Sequence, residues 1–349
     1  MIKLLTGEPA VGVTRGPRIE SIHNVAACAT NVKGDVIASV GDITTPVFLR
    51  SASKPFIAAA VLREGAVARF GLESHEIAVM AASHNGEPIH VAAVRSILNK
   101  IDATEADLAC GANAPSYEPA ARALTENGER FGAIHNNCSG KHAGILALAR
   151  LLGAPLAGYL GRIHPAQAAV IALCERASGE HFADDRLGID GCGIPVYATS
   201  LRRAARSFAR IATLEEFEDK DAAAIDVVRK AMMAHPEYVG GTDRFDTELM
   251  RLTAGTVCAK AGAEGVHADA LLASGAGLVL KVIDGNRRAA PPAAIALLRG
   301  LGALDDSDVA RLSSFAHAPV RNVAGVVTGE VAALAGFGAL APATGHAAH

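Results

Sequence analysis

The chain has 349 residues, half of them apolar and 20% charged, which is enough apolar material for a sizeable core. A net charge of −3 gives no basis for a nucleic-acid partner or for an anionic membrane surface. Aromatic residues make up only 4%, Trp is absent and Gly numbers 35, a composition that points to Ala-rich helices packed closely on sheets.

Met1 to Pro9 holds no long apolar stretch, so no secretory signal is expected and a cytoplasmic location follows. The longest apolar window, Ala143 to Leu160, is broken by Arg150 and Pro155, so no membrane-spanning helix is expected. Cysteines 28, 110, 138, 174, 192 and 258 are scattered, which favours reduced thiols or a metal site over disulfides.

Val11 to Glu20 alternates loosely around Arg15-Gly16-Pro17-Arg18, and Ser21 to Val32 is rich in small and β-branched residues. Lys33-Gly34 reads as a hairpin turn before a strand over Asp35 to Asp42. The first 50 residues therefore predict an antiparallel meander. Pro46 to Leu49 reads as a strand, and residues 54–69 as a helix after Pro55. Between them stands Arg50-Ser51-Ala52-Ser53-Lys54, where a strand hands over to a helix. Ser51 and Lys54 are three apart and share one face of a helical turn. A serine becomes a nucleophile when a base takes its proton, and a lysine with a depressed pKa can be that base. The plain alternative is a capping serine with a solvated lysine, and the adjacent Ser53 competes for the nucleophile's role.

Ser74 is expected to cap a helix over 74–82, which delivers Ser83-His84-Asn85-Gly86-Glu87-Pro88 as a polar loop. Helices are predicted over His90 to Ile101, Thr104 to Ala109 and Tyr117 to Asn127. His135-Asn136-Asn137-Cys138-Ser139-Gly140-Lys141-His142 then opens an apolar helix. It is not a phosphate-binding P-loop, which needs Gly where His135 stands and Ser or Thr where His142 stands. Its plain alternative is helix capping by Asn137 or Ser139. Pro165 to Ser178 is a clear helix closed by Gly179. Ile189-Asp190-Gly191-Cys192-Gly193-Ile194-Pro195 is a glycine-spaced turn that lets backbone approach a ligand. Cys138 and Cys192 are too far apart for a C-x-x-C knuckle but can converge on one metal; two unrelated thiols are the alternative.

Helices are expected over Leu201 to Phe208, Glu215 to Met233 and 246–253, with a polar loop from His235 to Phe245. Val257, Ala259 and Ala261 alternate with Cys258 and Lys260, which suggests an edge strand carrying Lys260 toward a cleft or toward solvent. Strands are predicted over Ala273 to Ile283 and Arg321 to Val327, a helix over 290–302, and a frayed tail over 336–349. Strand-rich ends around a helical middle predict an α+β catalytic domain over 1–335, its central, mainly antiparallel sheet fed by both termini.

Five segments occur in order: Arg50-Ser51-x-x-Lys54-Pro55, Ser83-His84-Asn85-Gly86-Glu87, Asn137 to His142, Asp190-Gly191-Cys192-Gly193-x-Pro195, and Lys260-Ala261-Gly262-Ala263-Glu264-Gly265. Together they resemble the L-asparaginase II family, the rhizobial-type or class 3 asparaginases, over roughly residues 10 to 330. The resemblance implies a fold related to serine β-lactamases and glutaminases, a homodimer, and hydrolysis of L-asparagine to L-aspartate and ammonia. It implies Ser–Lys pairs at Ser51 with Lys54 and Ser83 with Lys260. It implies one zinc ion (Zn2+) held by Cys138, Lys141 and Cys192, with Asp190 close by. By charge and placement, Arg50, Asn85, His142 and Asp190 are candidates for holding the substrate. A penicillin-recognising serine hydrolase is a rival, although its S-D-N and K-T-G partners are missing. Autocleavage before Thr256 and a non-catalytic metal or thiol sensor built on Cys138 and Cys192 are the others.

Overall fold

The computed structural model describes residues 4–339. The chain opens on strands β1 (Glu8–Arg15), β2 (Arg18–Thr30), β3 (Val36–Val40) and β4 (Pro46–Phe48). Helices follow: α1 (Lys54–Arg63), α2 (Ala66–Phe70), α3 (Ser74–Met80), α4 (Pro88–Lys100), α5 (Glu118–Glu126), α6 (Ser139–Leu151) and α7 (Pro165–Ser178). A hairpin of β5 (Leu187–Ile189) and β6 (Pro195–Ser200) leads into α8 (Leu201–Thr213), α9 (Asp219–Ala234), α10 (Pro236–Val239) and α11 (Phe245–Thr253). The chain then runs through β7 (Val257–Ala261), β8 (Val266–Leu271), β9 (Ala276–Val282), α12 (Ala290–Gly300), α13 (Asp306–Arg311), α14 (Ser313–Ala316), β10 (His317–Arg321) and β11 (Val327–Ala333). The contacts of the described residues divide them into two compact units, a sheet unit of residues 4–52, 199–213 and 252–339, and a helical unit of residues 53–198 and 214–251.

The sheet unit is antiparallel in the order β10-β11-β1-β2-β9-β8-β7, with β3 also on β2. Strands from both ends of the chain feed it, as the α+β reading predicts. The long β2 serves two neighbourhoods. Its first half pairs β1, while Val25 to Thr30 pair β9 and lie wholly buried. Small residues at Ala26, Ala27, Cys28 and Ala29 let layers close on that stretch. The amphipathic α8 lies on β9, β2 and β8, burying Leu201, Ala204, Ala205, Phe208 and Ala209 at helical spacing. Gly277 on β9 makes this possible, because a Cβ there would stand 2.0 Å from Ala205 O.

In the helical unit, α1 is buried from Lys54 to Leu62 and α6 from Ser139 to Ala149. A helix apolar on every side has to be enclosed by others. Here α1 packs on α6, α7 and α9, and α6 on α3 and α4. Gly140 faces Val79 O, where a Cβ would come within 2.1 Å, so α3 and α6 meet at backbone distance. The fully buried Asp221 on α9 ties three helices, accepting from Arg176 Nε of α7 and Arg63 Nε of α1 at 2.6 Å each.

Several boundaries differ from the sequence expectation. The helix over 54–69 is two helices, broken where Gly65 turns left-handed at φ +92°. Glu73, not Ser74, caps α3, its backbone N–H donating to Glu76 Oε2 at 2.7 Å. Thr104 to Ala109 forms only a 3-10 turn, Glu105–Asp107, and the loop from His235 to Phe245 contains α10. The strand expected over Arg321 to Val327 is the turn between β10 and β11. There Asn322 Oδ1 accepts from Val326 N at 2.9 Å and leaves Val323 fully exposed. The tail from residue 340 on lies outside the described residues.

Burial alone would raise the Asp221 carboxyl, but the bonds from Arg176 and Arg63 prevail and hold it below its ordinary value. Its stabilisation is therefore complete above the usual carboxylate range and is lost as pH falls through the depressed native value. Asp221→Asn is expected to cost about 3 kcal/mol at neutral pH, the low end for breaking a buried pair because both arginines are partly exposed. Thermal melts should show the gap from the parent narrowing below about pH 4; a gap independent of pH would show that the ion pair is not its source.

Candidate active site

Arg50 to Ser53 form a 3-10 turn that runs straight into α1, so the strand-to-helix handover is present. Arg50 holds φ +52°, a left-handed backbone that costs a non-glycine residue about 1–2 kcal/mol. Such strain persists where the surroundings enforce it, and it gathers at functional sites. Arg50 and Ser51, both half-buried, close the first segment of the sheet unit. In that unit Lys260 sits on β7, the last strand of the sheet, opposite Ala268 of β8. It is buried, not solvent-facing, and its Nζ donates to Ala261 O at 2.7 Å.

The other candidates converge in the helical unit. Lys54 at the start of α1 is 1% exposed, and its Nζ donates to Ala82 O and, at 3.0 Å, to Ser83 Oγ. Lys54 also hydrogen-bonds Cys138, the residue that precedes α6. Cys138 and Cys192 share a hydrogen bond, Lys141 Nζ donates to Cys192 Sγ at 2.8 Å, and Asp190 Oδ2 lies 3.7 Å from that sulfur. Asn136 shapes this end of α6. Its Oδ1 accepts from Cys138 N at 2.9 Å, and its amide donates to Cys110 O and Gly111 O at 3.0 Å each. Neither Asn137 nor Ser139 caps α6 as the sequence suggests: Cys138 is the N-cap, without a side-chain cap bond, and Asn136 forms the turn that leads into it.

Burial lowers the Lys54 amine; the Cys138 sulfur opposes this and the Lys141 cation adds to it, leaving a net depression. Burial acts the same way on Lys141, but the two sulfurs outweigh it and hold that amine above its ordinary value. The Cys138 thiol is pulled well down by the hydrogen bond from Cys192, helped by both lysines, while Cys192 is pushed up as the donor. The cluster therefore supports one thiolate between two amines.

Three imidazoles surround it. His84 is buried, stacked on His90 at 4.8 Å between ring centroids. Its Nδ1 accepts from Gly86 N, so its Nε2–H is free to donate to Ser139 Oγ at 2.9 Å. His90 accepts from Glu87 N and donates to Glu237 O at 2.8 Å, which fastens the loop after Ser83. His142 Nδ1 meets Tyr159 OH at 2.6 Å, and Tyr159 also accepts from Ala109 N. The phenol proton then goes to Nδ1, and the buried His142 Nε2–H has no hydrogen-bond partner among the described residues. Burial first, then Lys141 and Lys54, push His142 well below the usual imidazole value, so it is neutral. Asn85 donates to Thr242 O at 3.2 Å, while its buried Oδ1 has no hydrogen-bond partner among the described residues.

The sequence profile of the L-asparaginase II family matches residues 11–333. The chain belongs to the L-asparaginase II family. Membership places it among amidohydrolases. No curated protein matches it. Among solved structures, a β-lactamase from Mycobacterium bovis shares 16% identity over 75% of this chain and 88% of its own, with a TM-score of 0.37. A structure described as Mglu shares 14% identity over 80% of this chain and 67% of its own, also at 0.37. Among the described residues, no helix is long and apolar enough to cross a membrane.

The zinc ion that the asparaginase II resemblance implies finds suitable chemistry here. No three His, Cys, Asp or Glu side chains converge on a metal position among the described residues. The donor set instead is two sulfurs and the Lys141 amine, which already touch one another, and thiolates suit zinc. A bound cation would take the place of the proton on Lys141. Sequence reasoning did not single out Asn136, Tyr159, His84 and His90 as parts of this candidate site. The spacing Glu87-x-x-His90 at the head of α4 was the available signal for the last of them.

Asn136→Ala leaves Cys138 N unpaired and is expected to destabilise the protein by about 1–2 kcal/mol. Asn136→Asp keeps the acceptor and should recover part of that loss. Chemical denaturation of both variants checks this; equal losses would mean that the bond to Cys138 N contributes nothing.

Proposed function

We propose that this chain is an L-asparaginase, which hydrolyses the side-chain amide of L-asparagine to give L-aspartate and ammonia. The observation that carries this reading is the buried Lys54 Nζ against Ser83 Oγ, beside the Cys138–Lys141–Cys192 cluster, in a chain of this family. In the reading, Ser51 attacks the amide carbon and Lys54, three residues on, takes its proton. Ser83 relays protons, and Lys260 is the second lysine of the set. Backbone N–H groups at the start of α1 would stabilise the oxyanion. The collapse of the tetrahedral intermediate expels ammonia, and water then frees the acyl-serine. A buried acceptor at Asn85 Oδ1 and a buried donor at His142 Nε2 complement a substrate with one ammonium and one carboxylate. Arg50 and Asp190 add one charge of each sign. The reading includes a homodimer, as the family resemblance implies, and a cytoplasmic location.

Zinc, on this reading, is held by Cys138, Lys141 and Cys192, and it supplies positive charge that fixes the 138–142 and 190–195 turns together. A second reading makes Ser83 the nucleophile, because Ser83 is the hydroxyl that Lys54 holds at 3.0 Å.

Purified protein should release ammonia from L-asparagine, and less from L-glutamine. Ser51→Ala, Lys54→Ala, Ser83→Ala and Lys260→Ala should each lower kcat on the order of 10³-fold with the fold intact by circular dichroism. A fully active Ser51→Ala variant beside a dead Ser83→Ala variant would hand the nucleophile's role to Ser83. No turnover of any simple amide would remove the asparaginase assignment itself.

Elemental analysis tests the metal. Cys138→Ser and Cys192→Ser should each lose zinc and raise KM more than they lower kcat, because the Ser–Lys groups already supply nucleophile and base. Undiminished zinc in both variants sinks the site. Lost zinc with kcat near zero and KM unchanged makes the ion catalytic instead of structural.

A further inference from the structure

The loop from Val239 to Arg244 runs beside the segment that presents Ser83 and Asn85, within the helical unit. Ser83 N donates to Val239 O at 3.0 Å, and Asn85 N to Gly240 O at 3.1 Å. Asn85 Nδ2 donates to Thr242 O, and Thr242 donates twice to Glu87. The loop is fixed on its other side as well. Thr247 Oγ1 accepts from Gly241 N and donates to Pro236 O, at 3.1 Å each. Arg244 closes the loop, after Asp243 with its left-handed φ of +56°. A Cβ at Gly240 would stand 2.9 Å from Arg244 Cβ, so the arginine starts against the residue that holds the Asn85 backbone.

Arg244 is half-buried, and its guanidinium has no hydrogen-bond or ion-pair partner among the described residues. The other half-buried arginines of the helical unit are paired with carboxylates: Arg63 and Arg176 with Asp221, Arg186 with Glu180, Arg229 with Asp226. Burial takes hydration from a cation, and a partner normally replaces it. On the adjoining segment Asn85 is 2% exposed, and its Oδ1 is the unmet acceptor already described. A buried polar atom without a partner in a native structure points to a ligand or water. Burial above all holds His84 and His90 below the usual imidazole range, and the Arg244 charge adds to it. The cation is therefore felt at two buried rings of the segment that carries Asn85.

Two unmet groups thus lie on adjoining segments, one a cationic donor and one a neutral acceptor. A ligand that satisfies both carries a carboxylate and an N–H donor close together. An α-amino acid does so with one carbon between them, and a guanidinium fork matches the carboxylate with two parallel bonds. We propose that Arg244 is a specificity-determining residue that binds the α-carboxylate of the substrate, with Asn85 Oδ1 accepting from its α-ammonium. This rests on the asparaginase reading and goes beyond it, because that reading takes its positive charge from Arg50, which belongs to the sheet unit.

Calorimetric titration of the full chain compares L-aspartate with 3-aminopropanoate, which lacks only the α-carboxylate. The parent should bind L-aspartate at least about ten-fold more tightly, and Arg244→Gln should close that gap with an unchanged circular dichroism spectrum. Arg244→Lys should reopen part of it, since it restores the charge without the fork. In Arg244→Gln the KM for L-asparagine should rise by a similar factor while kcat changes less. A gap that is absent in the parent, or that survives in Arg244→Gln, overturns the proposal. An active parent whose KM is untouched by Arg244→Gln overturns this inference alone. L-aspartate held through Arg244 in a parent that hydrolyses no amide overturns the hydrolase reading alone, and a parent with neither binding nor turnover overturns both.

Discussion

Two lysine amines, Lys54 and Lys141, are withdrawn from water in the same helical unit, and a buried ammonium is tolerated only when its neighbours replace the lost hydration. That requirement organises the unit. The Ala82 carbonyl, the Ser83 hydroxyl and the sulfurs of Cys138 and Cys192 are the replacements. Each comes from the end of an element, because α1 and α6 are apolar all round and have no polar face to spare. The apolar helices bring their N-termini together, and the polar groups there satisfy one another. The same packing that makes the core therefore makes the site.

Local signals carried much of this into the sequence. Pro165 and Gly179 mark both ends of α7 because each fits its place by its own backbone preference. The site segments at 83–88, 138–142 and 190–195 stood out as dense polar or glycine-spaced stretches between apolar runs. What stayed hidden depends on contacts through space. No sequence expectation covers β8, whose His267 and Asp269 interrupt an apolar run, yet the two bond to each other at 2.8 Å and so can be buried inside a sheet. Val323 looks like strand interior and sits at a hairpin tip. The contact of Lys54 with Ser83 joins residues 29 apart, and no spacing rule selects it over Ser51.

The loop after Ser83 shows how positioning is divided from chemistry in this family member. His84 and His90 are neutral, stacked and bonded at both ring nitrogens, so they hold backbone instead of moving protons. Glu87 adds two bonds to Thr242, from its N–H at 2.7 Å and its hydroxyl at 2.9 Å. Ser83 and Asn85 are thus presented from a segment fastened at several points. Gly241 must be glycine beside it, since a Cβ would fall 2.3 Å from Asn85 Oδ1.

The pairing of β2 with β9 has a consequence for how the protein comes into being. Thr30 lies opposite Gly277, so the centre of the sheet joins the first and last parts of the chain. On a ribosome adding about 5–20 residues per second, β2 waits tens of seconds for its partner strand. The helices from α1 to α7 are synthesised in the interval and find most of their neighbours nearby. The sheet closes last and over a long loop, the slow kind of contact. Until then the apolar stretch from Val25 to Thr30 keeps the edge that β9 will cover open in a nascent chain, the kind of edge at which strands of separate chains pair.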